Sequence, residues 1–168
     1  SRYAIEALYP ATSLQQGFIY HVLSQPEDDA YRVQMLFDYH GALDVLVYQQ
    51  AWLAAIQVYP ALRLCFSWEE ELIQVITKVG ALDFRMHDIS DEADKEQAIT
   101  RIQVEDRAHA FDLTKPTLLR LHLIKHSAEH YTLLKSSHHS IMDGWSWPVL
   151  MQRVHHIYYA LKDGRKYI

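Results

Sequence analysis

The sequence predicts a mixed α/β (α+β) fold: a two-layer sandwich in which helices pack on a mostly antiparallel mixed sheet. Three observations predict it. Short apolar runs alternate with period two, while longer ones repeat with helical period. The short runs pair around polar turns, as hairpins do. The regular strand–helix alternation of a parallel doubly wound sheet is absent, as is any glycine-rich phosphate loop.

In chain order, Ser13-Leu14-Gln15-Gln16 has the form of a capping box and predicts a helix over 14–23, ended near Pro26. Tyr31, Val33, Met35, Phe37 and Tyr39 alternate with Arg32, Gln34 and Asp38, the pattern of a half-buried strand. Asp44 caps a helix over 45–59 that Pro60 closes. Leu62–Trp68 and Leu72–Thr77 flank Glu69-Glu70-Glu71 as a hairpin, and Leu82–His87 is a short strand. A long polar helix is expected over 91–110, with Ala98, Ile99, Ile102 and Ala110 inward. Leu118–His126 and Tyr131–Ser137 form a second hairpin around Ala128-Glu129-His130. The last helix starts near Ser146 or Trp147, where Pro148 suits the first turn, and stops at Gly164.

The whole chain, 1–168, reads as one unit without repeat or linker. Its length suffices for a real core. A net charge of -5 with no basic stripe argues against a nucleic-acid surface. Cys65, the single cysteine, has no partner for an internal disulfide and sits in an apolar run, as a small buried hydrophobe does. No apolar stretch approaches the ~20 residues of a membrane span. Ser1-Arg2-Tyr3-Ala4 is not a signal peptide, so a cytoplasmic location is the expectation.

The candidate site is Ser136-Ser137-His138-His139-Ser140-Ile141-Met142-Asp143-Gly144-Trp145-Ser146, where a strand ends and a helix begins. Histidine moves protons near neutral pH. Gly144 permits a sharp turn. On residues alone, His138 and His139 are either satisfied loop histidines or a proton-handling pair. Asp143 is either an orienting partner, as in a triad, or half of a structural ion pair. Adjacent strand residues point to opposite faces, so the two histidines have different roles. The histidines lack zinc-ligand spacing, so no metal site is read, and neither a Gly-x-Ser-x-Gly elbow nor a base for Cys65 is visible.

His-His-x-x-x-Asp-Gly followed by Trp145-Ser146 resembles the signature of nonribosomal peptide synthetase condensation domains, of the chloramphenicol acetyltransferase-like superfamily. Three other stretches fit. Tyr9-Pro10-Ala11-Thr12-Ser13-Leu14-Gln15-Gln16-Gly17 resembles the family's opening. Leu62-Arg63 and Phe66 match an Arg-His-x-x-x-Leu-Arg-x-x-Phe motif whose leading pair is here Val58-Tyr59. Phe111-Asp112-Leu113 matches a segment before the central hairpin.

The resemblance covers about residues 8–165 and implies a chloramphenicol acetyltransferase-like half. The motifs of a second lobe do not occur in the sequence, so the chain reads as the N-terminal lobe with the C-terminal lobe absent. The implied reaction is amide formation between a donor acyl or peptidyl thioester and an acceptor aminoacyl thioester. Phosphopantetheine arms of upstream and downstream peptidyl carrier proteins deliver both, beside an adenylation domain, with no cofactor bound by the lobe itself. The resemblance assigns the reaction centre to His139, support of the loop to His138 and an ion pair to Arg63 and Asp143. Gly144 is an oxyanion-donor candidate. An epimerisation lobe and a noncatalytic docking lobe are the alternatives, and a heterocyclisation domain, which replaces the histidines, is disfavoured. The isolated lobe is expected to be inactive.

Overall fold

Among the described residues, seven strands form two sheets. The computed structural model describes residues 3–26, 28–141 and 146–167. The chain order is β1 (Ile5–Pro10), α1 (Ser13–Ser24), β2 (Arg32–His40), α2 (Val45–Val58), β3 (Leu64–Ser67), β4 (Ile73–Thr77), β5 (Asp83–Asp88), α3 (Lys95–Arg107), β6 (Leu119–Ser127), β7 (His130–His138) and α4 (Ser146–Lys162). A 3-10 turn at Pro60–Arg63 joins α2 to β3. The larger sheet runs β2-β7-β6-β5 and the smaller β1-β4-β3. β5 lies parallel to β6, and the other pairs are antiparallel.

The mixed, mostly antiparallel fold expected from the hairpin pattern is present, with two refinements. The hairpin β3–β4 leaves the main sheet and takes β1 as its third strand. β1 gave little sequence signal because it is mostly exposed and carries no apolar alternation. Helices also cover both faces of the large sheet. On one face Leu121, Leu123 and Leu133 pack with Trp52 and Ala55 of α2 and Leu150 and Val154 of α4. On the other, Ile124 and Leu134 meet Ala98 and Ile102 of α3. Full burial of each such aliphatic side chain is worth ~1.5–3 kcal/mol. The outer face of β2 is therefore covered only at its start, where Arg32 and Gln34 turn toward α3 and bond to it, and is exposed at Leu36, Asp38 and His40.

The caps show why the ends fall where they do. Asp44 caps α2 as expected, its carboxylate accepting from the Val47 N–H. At α1 the capping box is Thr12–Gln15, one residue earlier than the Ser13–Gln16 reading. Both pairs have the required spacing, but Gln16 instead donates to the Ala11 carbonyl. α3 begins at Lys95 rather than 91 because Asp94 takes the cap position, and the Lys95 ammonium ties down the preceding turn through the carbonyls of Ile89, Ser90 and Glu92. Gly164, at φ 68°, ends α4, and the Arg165 N–H closes on the Ala160 carbonyl.

Cys65 is buried in β3, and burial pushes its thiol up to about 11, so it stays protonated near neutral pH. No helix among the described residues is long and apolar enough to cross a membrane.

Candidate active site

β7, one of the two inner strands of the larger sheet, ends at His138 and delivers His139 just beyond it. Its final residues remain pinned at the strand end. The His138 N–H donates to the Leu118 carbonyl at 3.1 Å, and the His139 N–H donates to the Tyr31 carbonyl at 2.8 Å. With the backbone held on both sides, strand alternation separates the side chains. His138 is buried, whereas His139 is exposed. Phe18 of α1 meets both rings edge-on, with centroids 5.8 Å from His138 and 5.5 Å from His139.

His138 is committed to its own loop. Its Nδ1 accepts from the Ser140 N–H at 3.1 Å and lies 2.8 Å from the Ser140 hydroxyl. An accepting Nδ1 places the proton of the neutral ring on Nε2. That Nε2 is buried without a hydrogen-bond partner among the described residues. Burial, reinforced by Arg32 and His139 nearby, pushes His138 down to about 4. The ring is therefore neutral across the physiological range. A groove of about 450 Å³ runs beside it, lined in part by Val22, Tyr31, Arg32 and Phe111.

Asp143 and Gly144 lie outside the described residues, so their expected roles carry over only as proposals. Arg63 is described, and it is buried. Its guanidinium donates to Glu6 Oε1 at 3.0 Å and to the Thr77 carbonyl, tying the turn after α2 to β1 and β4. Its Nε has no partner among the described residues. Gly80 is required beside it: a Cβ there would meet Ile56 Cγ2 at 2.3 Å and Arg63 Cγ at 3.0 Å.

Behind the histidines lies a buried polar network centred on Asp106 of α3. Its carboxylate accepts from Arg32 Nη1 at 2.9 Å, Gln34 Nε2 at 2.8 Å, Arg120 Nη1 at 2.8 Å, His122 Nε2 at 2.9 Å and the Ser136 hydroxyl. Burial alone would raise this carboxyl. The bonds from His122, Ser136, Gln34 and Arg120 outweigh it and hold the group far below the usual carboxylate range. His122 Nδ1 in turn meets His87 Nε2 at 2.8 Å. Phe111 closes the network, with the guanidinium carbons of Arg32 and Arg120 at 4.5 and 4.9 Å from its ring centre. Arg32 follows Tyr31, whose carbonyl holds His139, and Ser136 lies two residues before His138. The network thus fixes the backbone that presents the site.

Residues 5–167 match the family model of the condensation domain. The chain belongs to that family. It is 41% identical over 165 residues to the N-(5-amino-5-carboxypentanoyl)-L-cysteinyl-D-valine synthase of Penicillium rubens, covering 96% of this chain and 4% of that protein. It is 31% identical over 168 residues to bacitracin synthase 3 of Bacillus licheniformis, covering 98% of this chain and 3% of the relative. The starter condensation domain of rhizomide synthetase superposes with a TM-score of 0.89 at 23% identity, over 97% of this chain and 41% of that one. The first condensation domain of the calcium-dependent antibiotic synthetase, solved with a substrate analogue, gives 0.87 at 22% identity over 97% and 41%. The chain therefore spans only a small part of the curated relatives and about two fifths of these solved condensation domains.

Within this condensation-domain chain, the fold brings His138 and His139 together at one strand end and gives them unlike surroundings. Sequence reading missed Asp106. A signal was present: Ala98, Ile102 and Asp106 are spaced i, i+4, i+8, which places a carboxylate on the apolar stripe of α3. Arg120, His122 and Ser136, alternating on strands buried on both faces, were the complementary sign.

Proposed function

We propose that this chain, 1–168, is the N-terminal lobe of a condensation domain that forms amide bonds between carrier-bound thioesters, with His139 as the reacting histidine. The observation that carries the proposal is the contrast at the end of β7. His139 is exposed with its backbone pinned, beside a His138 that is buried, neutral and occupied by Ser140. Only the exposed imidazole is free to meet a substrate amine.

In the proposed reaction, the acceptor amine attacks the donor thioester carbonyl. A C–N bond forms and the C–S bond breaks. His139 takes the proton shed by the amine and returns it to the departing phosphopantetheine thiolate. Holding the amine against the carbonyl contributes alongside proton transfer. Both thioesters arrive on phosphopantetheine arms of peptidyl carrier proteins upstream and downstream, with an adenylation domain loading the acceptor. The C-terminal lobe completes the site, and the setting is cytoplasmic. Gly144 is proposed to turn the backbone so that an N–H faces the developing oxyanion, and Asp143 to pair with Arg63. The chain's extent, two fifths of a solved condensation domain, supports the reading that a second lobe is needed and that this lobe alone is inactive.

The test is single-turnover condensation between two loaded carrier proteins by the complete domain, followed by mass spectrometry. His139→Ala is expected to slow amide formation ~10²-fold or more while holding Tm within a few degrees. His138→Ala is expected to lower Tm first. Near-normal condensation by the His139 variant would remove it from proton transfer.

A further inference from the structure

The His139 N–H is tied to the Tyr31 carbonyl, which fixes where the residue leaves the strand but not where its ring points. An exposed histidine has three staggered χ1 wells and a broad, two-fold χ2, so about six orientations are open to an unsupported ring. Only an orientation that faces the acceptor amine can take its proton. We infer that Phe18 is a positioning residue: its ring, carried on α1, holds the His139 imidazole in one orientation for the reaction. The inference rests on the proposed role of His139 and extends that role to a second element.

Phe18 is only 5% exposed, and its ring centre lies 5.5 Å from that of His139 with 71° between the planes. That is the edge-to-face arrangement aromatic pairs prefer, at centroid separations of ~4.5–7 Å. Among the described residues it is the one ring contact that His139 makes. The same Phe18 ring lies against Tyr31 at 4.5 Å and 57°. Tyr31 is the residue whose carbonyl accepts from the His139 N–H. Phe18 therefore acts on both parts of the hold, on the imidazole directly and on the backbone through Tyr31. It meets the His138 ring as well, at 5.8 Å and 78°, so one side chain braces both histidines.

The helix that carries Phe18 is itself firmly placed. Its N-terminus is closed by the Thr12–Gln15 box, and Gln15 Nε2 donates to Gln74 Oε1 of β4 at 3.2 Å. The next residue, Ile19, is 1% exposed and belongs to the main core. Further along α1 the His21 ring packs on Tyr31 at 5.1 Å and 88°. A brace built on a packed helix places its neighbour more sharply than one built on a loop. The count of orientations sets the size of the effect. With one productive orientation among about six, freeing the ring lowers the rate ~3–10-fold. That is less than the ~10²-fold or more expected for removing the imidazole. The loss falls on the maximal rate, because a buried ring offers the carrier proteins little surface to bind.

The test is single-turnover condensation by the complete domain at increasing concentrations of loaded carrier protein, which separates the maximal rate from half-saturation. Phe18→Leu, apolar but without the ring, is expected to lower the maximal rate ~3–10-fold and to leave half-saturation unchanged. Phe18→Tyr retains the ring and is expected to keep most of the rate. In a His139→Ala background, Phe18→Leu is expected to cost nothing further, because its effect passes through the imidazole. Ile19→Val, a core change one residue on, is expected to lower Tm and leave the maximal rate unchanged. A second readout is the His139 Cε1–H resonance in the domain labelled with carbon-13 histidine, assigned by its loss in His139→Ala. Phe18→Leu is expected to move that resonance toward the position of free histidine as the ring current is lost, and Phe18→Tyr to leave it in place. A rate loss that adds to that of His139→Ala, or a resonance unmoved in Phe18→Leu while His139→Ala is slow, would overturn the positioning role alone. Near-normal condensation by His139→Ala would overturn the reaction reading, and with it any part for Phe18 in that reaction.

Discussion

Replacing Asp106 with Asn tests the network that supports the site. The change is nearly isosteric, so packing is preserved and the loss is electrostatic. Arg32 and Arg120, both buried, lose their shared counter-charge. Asp83 offers Arg120 a second carboxylate at 3.3 Å, but that group is half-exposed and compensates little. One oxygen also becomes an NH₂ group, so at least one donor among Gln34, His122 and Ser136 faces another donor. Stranding one partner of a buried pair typically costs ~3–5 kcal/mol. That is a large share of a total stability of ~5–15 kcal/mol. At roughly 2–4 °C per kcal/mol for a chain of this size, Tm should fall by about 6–20 °C. The assay is urea unfolding followed by far-UV circular dichroism, with Asp83→Asn as the exposed control, expected to lose ~1 kcal/mol or less. The depressed carboxyl also gives a sign. Its contribution is complete above the unfolded value of ~4 and is lost only as pH falls far enough to protonate the folded group. A loss under 1 kcal/mol for Asp106→Asn at pH 7 would refute the reasoning.

Acid should weaken the fold before Asp106 is touched: His138, held down at about 4, binds its proton more readily unfolded, so stability should fall by roughly 3 kcal/mol as pH drops from ~6.5 to ~4, and His138→Gln should flatten that slope in urea titrations. Lys135 is fully buried, with Nζ 3.0 Å from the centre of the Trp147 ring and 3.4 Å from Met35 Sδ, and burial pushes it down to about 7. Stability should therefore rise with pH between ~7 and ~10.5, and Lys135→Met should raise Tm at pH 7 and remove that rise; a destabilised variant would contradict this. Arg63→Ala should cost at least ~2–3 kcal/mol through the bereft Thr77 carbonyl and Glu6, and coupling above ~1 kcal/mol with Asp143→Ala in a double-mutant cycle would place the proposed ion pair, whereas additivity would remove it.

Much of the fold was legible because its devices are local. Asp44, Pro60 and Gly164 each act within a turn of where they stand, and the hairpins announce themselves by alternation around polar turns. β1 escaped because an exposed strand on a small sheet has no burial pattern to display. The cap of α1 was off by one because two overlapping Ser/Thr-x-x-Gln pairs compete, and only tertiary contacts choose between them. At the site, strand alternation correctly separated His138 from His139, which local geometry alone dictates. Asp106 showed only as a carboxylate on the apolar stripe of α3; its partners were not legible, because they depend on which strands become neighbours.

That dependence has a kinetic side. β2 finds its partner β7 only across most of the chain: Arg32 and Ser136, which touch, are 104 residues apart. Closing a loop of that length costs roughly 4 kcal/mol of chain entropy before any contact repays it, and pairings of such long range are slow to form. During synthesis, β2 is made early and must wait, unpaired, until β7 exists. The Tyr31 carbonyl cannot hold the His139 N–H until that strand docks, so this strand end should be among the last parts of the fold to acquire its shape. A chain cut before β7 would lose the centre of its larger sheet and leave the flanks of β2 and β6 exposed together.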